Sequence, residues 1–239
     1  MARARKKPRF KLGSLYWDSV APRWGERIFN TLKQDRGGVI AAELERASRG
    51  AASVADFGCG VGVYFPLLMR LFPKVHGFDI SPACVKMALK KARGKKGVAA
   101  SVAASAPRAH RGAYDAVLCV NVALHPKRRA WLGVLRSVRD LMKPRGRLVL
   151  VAPALESAGL IARAKKAPLR NRNGVVWAGM VPTKHYAKAE LAALLAGLGL
   201  KVSRIRRVQY SWRSHDISPP RELRASGPWD WLAVARRAR

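Results

Sequence analysis

Acidic residues are scarce in this chain. Among 239 residues, 14 Asp and Glu stand against 47 Lys and Arg, leaving a net charge of +33. Such an excess attracts polyanions in a salt-dependent way, whether nucleic acid or an acidic membrane face. The abundance of Ala, Arg and Gly equally fits a biased genome and a solvated basic surface, because the cations are spread over 86–96, 127–129, 163–172, 204–207 and 236–239. Cysteine is also scarce. Cys59, Cys84 and Cys119 lie far apart with neither metal-ligand nor disulfide spacing, which reads as reduced structural thiols of a cytoplasmic protein with no metal. No run approaches the eighteen or so apolar residues of a membrane span. Residues 1–11 are basic, but no apolar stretch follows that would make them a secretory signal, so they read as a disordered arm. No tandem repeat is evident. With 49% hydrophobic residues, what remains is enough for one ample core.

The stretch from Ser53 to Leu68 organises the rest. Val54, Ala55 and Phe57 form a short apolar strand around Asp56; Gly58, Gly60 and Gly62 leave backbone where a ligand can approach closely. Tyr64, Phe65, Leu67, Leu68 and Leu71 then fall on one face of a helix, with Pro66 in its tolerant first turn. Strand, glycine turn and helix N-terminus together make a nucleotide-site layout, in which free amides would point at the bound group. The dinucleotide fingerprint G-x-G-x-x-G is missing, because the third glycine comes one residue early.

Asp56-Phe57-Gly58-Cys59-Gly60-Val61-Gly62 instead resembles motif I of the class I S-adenosylmethionine-dependent methyltransferases. A second strand, Lys74 to Asp79, ends in an acid seventeen residues after Gly62, placed to accept both ribose hydroxyls of a nucleoside. Capping is the alternative for this corner, since Asp79 and Ser81 precede Pro82 and a helical run to Arg93. Ala113 to Pro126 is similar to motif IV: an apolar strand, Ala116 to Val120, with Asn121 and His125 at its carboxyl end. "L-M-K-P-R-G-R-L-V-L" is similar to the family's fifth-strand signature, Arg145 replacing a common glycine and Gly146 expected at positive φ. The aromatic run Leu15 to Trp24 is similar to a lead-in that folds over the cofactor in small-molecule methyltransferases; packing of the same aromatics on the sheet is equally compatible.

The resemblance implies an α/β fold: a doubly wound, seven-stranded, mostly parallel sheet in the order 3-2-1-4-5-7-6, with helices on both faces and the last strand antiparallel. One domain is expected over 12–239, with a helical cap at 12–50 and an acceptor-side insertion at 153–183. The implied cofactor is S-adenosylmethionine, held by Asp56, Gly58, Cys59, Gly60, Gly62, Asp79, Ile80 and Asn121. The acid that in the family accepts the adenine amino group is absent here, and Ser105 or a backbone carbonyl is expected to accept that hydrogen bond instead. His125, whose unperturbed pKa lies near neutrality, and Tyr16 are the catalytic candidates, followed by His185 and Tyr186. The Asn-Pro-Pro-Tyr signature of amino-group nucleic-acid enzymes is missing, since Asn121 is followed by Val-Ala-Leu. The expectation is therefore methyl transfer to an oxygen, nitrogen or carbon of a small molecule. An RNA methyltransferase, or a basic RNA-binding protein on a silent methyltransferase fold, is the alternative.

Overall fold

The computed structural model describes residues 13–178 and 181–238; the expected basic arm, 1–11, lies outside the described residues. Four short helices come first: α1 (Ser14–Val20), α2 (Trp24–Arg27), α3 (Thr31–Gln34) and α4 (Val39–Ser48). Strand and helix then alternate through β1 (Ser53–Phe57), α5 (Phe65–Leu71), β2 (Lys74–Asp79), α6 (Pro82–Lys91), β3 (Val98–Val102), β4 (Tyr114–Val120), α7 (Arg128–Leu141) and β5 (Met142–Pro153). After α8 (Leu155–Ala164), three short strands, β6 (Asn171–Arg172), β7 (Val175–Ala178) and β8 (Val181–Lys184), form a small antiparallel sheet of their own. The chain closes with α9 (Lys188–Gly197), β9 (Leu200–Gln209) and β10 (Trp229–Arg237).

The seven-stranded sheet runs β3-β2-β1-β4-β5-β10-β9, which in order along the chain is the expected 3-2-1-4-5-7-6. β1 to β5 are mutually parallel, and β10 is antiparallel to both β5 and β9. Every residue of β1 is buried, because its side chains alternate between two apolar layers. Ala55 and Phe57 join Val117, Leu148 and Leu150 under α7 and α9, while Val54, Ala116, Leu118 and Val149 face α4, α5 and α6. Helices on both faces follow from a sheet that is apolar on both.

Local chemistry fixes the boundaries. Ser81 accepts a hydrogen bond from the Cys84 amide (3.0 Å) and Pro82 takes the first turn, starting α6 just beyond β2. Asp115 accepts from the Ala52 and Ser53 amides and from Lys143 Nζ (2.7 Å), tying together the starts of β1, β4 and β5. Buried Glu43 on α4 meets Arg46, Arg204 and Arg206 at 3.0, 3.3 and 3.5 Å, which fastens the cap to edge strand β9.

The stretch expected as an insertion, 153–183, holds α8 and most of the small sheet, anchored where Lys184 Nζ meets Glu190 at 2.6 Å. One expectation is corrected. The residue at positive φ in the 143–146 excursion of β5 is Arg145 (φ 63°), not Gly146. Gly146 is needed for close approach instead: a Cβ there would stand 2.9 Å from the Lys143 carbonyl oxygen. Arg145→Gly is therefore expected to stabilise the protein by about 0.5–1 kcal/mol, the left-handed strain less the added chain entropy. Gly146→Ala should cost about 1–3 kcal/mol through overpacking. Urea unfolding of the two variants checks both signs.

Candidate active site

The carboxyl ends of β1, β2 and β4 open on one cavity of about 350 Å³, at the point where the strand order reverses. Ligand crevices of doubly wound sheets form at such a switch point, in about this size range. Asp56, Gly58, Cys59, Asp79, Ile80, Asn121 and His125 all line it, so residues read from three separate stretches are brought together.

The glycine turn contributes differently from the expectation of free amides. The amides of Gly58 and Cys59 both donate to the Phe78 carbonyl (2.7 and 3.0 Å), Gly60 donates to Asp79 Oδ2 (2.9 Å), and Gly62 donates to the Cys59 carbonyl. Its bareness serves packing as well. A Cβ on Gly58 (φ 79°) would collide with Val122, and one on Gly60 (φ 51°) would strike the Trp24 indole. Trp24 thus lies against the turn, with Trp17 tilted beside it at 6.0 Å, and both line the cavity. Asp18 holds this cap in place by accepting from Ser81 Oγ (2.5 Å) and the Ala83 amide (3.1 Å).

Two carboxylates share the crevice. Asp79 spans the turn by accepting from Gly60 on one oxygen and from Ser81 on the other (2.9 Å each). Desolvation raises its pKa, partly offset by those amides. Asp56 is buried, its Oδ2 has no partner, and burial together with the nearby charge of Asp79 pushes its pKa up to about 8.

A family model described as a methyltransferase domain matches residues 32–205, most of the chain. The chain belongs to the class I S-adenosylmethionine-dependent methyltransferases. This methyltransferase is 28% identical over 217 residues to a ubiquinone biosynthesis O-methyltransferase of Xanthomonas axonopodis pv. citri, covering 85% of this chain and 83% of that protein. A protein of the same name from Xanthomonas campestris pv. campestris is 30% identical over 146 residues, 58% of this chain and 56% of that one. In fold it is similar to the Burkholderia thailandensis 1,6-didemethyltoxoflavin-N1-methyltransferase, solved with its substrate and S-adenosylhomocysteine. There the TM-score is 0.66 at 17% identity, over 95% of this chain and 87% of that one. Magnesium protoporphyrin IX methyltransferase of Synechocystis PCC 6803, solved with S-adenosylhomocysteine, gives 0.62 at 19%, over 94% and 98%.

The lining fits the methyltransferase cofactor on its own chemistry. Unpartnered polar atoms on Asp56 (Oδ2), Tyr64 (hydroxyl) and Asn121 (Oδ1) are buried on cavity residues, and the described lining has two acids, Asp56 and Asp79, but no Lys or Arg. A ligand bearing an ammonium and a sulfonium supplies the donors and positive charge that this acceptor-rich wall lacks.

Other sequence candidates fall elsewhere. Ser105 is exposed and outside the lining, where Ala103 and Ala104 stand instead. Tyr16 also lies outside it, edge-on to Trp17 at 5.1 Å. Tyr186 is a core residue whose hydroxyl donates to the Ala123 carbonyl (2.7 Å) and whose pKa burial pushes up; His185 does not line the cavity. His125 does, but its Nδ1 accepts from the Lys127 amide (3.0 Å), and burial followed by the Lys127 charge lowers its pKa. A neutral ring so held carries its proton on Nε2 and presents a donor there. Thr31, Tyr64 and Phe29 on the lining were missed, as was Asp230 behind it. Asp230 had a signal: it is a lone acid in the apolar run Trp229 to Val234.

Because the folded protein holds a proton on Asp56 up to about pH 8 while the unfolded chain loses it near 3.8, its stability should fall as pH rises between those values. Asp56→Asn removes that slope and should be the more stable protein at pH 8, by more than about 1 kcal/mol, since each pKa unit is worth that much. Denaturant unfolding across pH 4–9 measures it. Asp79→Ala should weaken S-adenosylhomocysteine binding by about 1–3 kcal/mol in calorimetry.

Proposed function

We propose that this methyltransferase transfers a methyl group to the oxygen of a small, uncharged aromatic hydroxyl compound. The observation that carries the reading is the lining: Ile28, Phe29, Val122, Leu124 and Val134 supply apolar surface, and no Lys or Arg stands among the described residues of the wall. A flat apolar body gains burial there, whereas a carboxylate or phosphate would find only Asp56 and Asp79. The cations of this +33 chain are elsewhere, so the basic surface does not make the cavity a nucleic-acid site. The Xanthomonas relatives are O-methyltransferases by name, which supports oxygen as the acceptor atom.

S-adenosylmethionine supplies an electrophilic methyl group when bound, so the residues' work is to align the partners and exclude water. Asp79 would hold the ribose hydroxyls, with Ile80, Ala103 and Ala104 beside the adenine, and Asp56 and Asn121 would face the amino-acid part. Trp17 and Trp24 would close the crevice against solvent. His125 would steer the acceptor oxygen by donating from Nε2, and the acceptor's hydroxyl proton would pass to bulk water as the C–O bond forms and the methyl–sulfur bond breaks. Three unpaired, buried cysteines fit a reducing compartment, and no helix among the described residues is long and apolar enough to cross a membrane, so the cytoplasm is the proposed location.

Incubation with methyl-labelled cofactor, a panel of phenols and catechols, and total RNA, read by mass spectrometry, tests the assignment. Label on a phenolic oxygen is expected; label in RNA alone overturns it. His125→Ala should lower kcat/KM for that acceptor about tenfold, as for one lost hydrogen bond, without changing cofactor affinity. Its pH profile should keep the wild-type shape. Loss of an acid limb in that profile would restore His125 as the base.

A further inference from the structure

Asn121, at the tip of β4, has φ 53°, a left-handed conformation that Asn tolerates better than most residues, and its side chain is fixed from behind. Its Nδ2 donates to Asp230 Oδ2 (2.9 Å) and approaches Thr31 Oγ1 (3.4 Å), while Tyr210 donates its hydroxyl to that same Asp230 oxygen (2.8 Å). With Nδ2 directed at Asp230 Oδ2 and Thr31 Oγ1, and that Asp230 oxygen itself held by Tyr210, the carboxamide has a single orientation. Its Oδ1 is left buried, without a partner, on a residue that lines the cavity. Neither Asp230 nor Tyr210 lines it.

We propose that Asp230, on the last strand, is a positioning residue for the cofactor: it pins the Asn121 amide so that Oδ1 is offered to the ammonium of the methionine portion. The inference rests on the methyltransferase assignment and extends it to a residue that touches neither cofactor nor acceptor. A buried acceptor is strengthened by a charged donor and is costly to leave unmet, so an ammonium is the group that best answers it. Were Asp230 absent, the amide could rotate and present Nδ2 to the ammonium, which repels it.

Two probes separate this role from general stability: S-adenosylhomocysteine, which carries the ammonium, and methylthioadenosine, which lacks the amino-acid portion. Calorimetry on Asp230→Ala should show the first bound about tenfold more weakly and the second unchanged. Asp230→Asn restores an oxygen that can accept from both donors and should recover most of the loss. In a double-mutant cycle the effect of Asp230→Ala should vanish once Asn121→Leu is present, because the two residues act through one contact. Equal weakening of both probes, additive losses in the cycle, or no loss at all would each overturn the proposal. Equal weakening would still leave the methyltransferase assignment intact, since adenosine binding would persist in the wild type. If the alanine variant is too unstable to purify, Asp230→Leu combined with Tyr210→Phe removes the acceptor and one orphaned donor together and serves the same comparison.

Discussion

A carboxyl group taken out of water at the tip of the central strand sets the terms for the rest of the molecule. Asp56 sits where β1 gives way to the turn, buried, with one oxygen unmet and a second acid, Asp79, sharing the crevice. Neither group is neutralised by a basic side chain of the lining, although the chain carries 47 Lys and Arg. The protein therefore keeps its cations out of this crevice and several of its few acids at structural and site positions: Glu43 under the cap, Asp115 at the base of three strands, and Asp56, Asp79 and Asp230 at the site. Desolvation makes such placements expensive unless a ligand or a hydrogen bond compensates them.

The core of this design was legible in the primary structure because it is local. The strand, turn and helix around Gly58–Gly62, the acid ending β2 and the polar tip of β4 each lie within a few consecutive residues, and the resemblance those residues carry implied the sheet covered on both sides. What was not legible depends on contacts between distant segments. Nothing in the spacing of Gly60 tells that Trp24 will lie on it, or that a Lys127 amide will donate to His125 Nδ1. The free amides expected of the turn were used up by Phe78 and Asp79 from the neighbouring strand. Weak periodicity in 153–183 concealed α8 and three strands too short to show alternation.

The two ends of the described chain meet at the site. Thr31 of the cap and Asp230 of the last strand both reach Asn121, and Asp18 grips the start of α6. Closure of the crevice and completion of the sheet are thus coupled through side chains rather than through any long loop. Segments separated by some two hundred residues must be in place before the pocket has its final shape, which is the contact pattern of slow, cooperative folding.

The outermost strand on the β10 side carries its own consequence. β9 presents Lys201, Arg204, Arg206 and Arg207 along a free edge, two of them leaning back to Glu43 and a third, Arg207, stacked 4.1 Å over the Trp229 ring. A second copy docking there edge to edge would bring cation against cation across an antiparallel seam, which disfavours strand pairing along this edge.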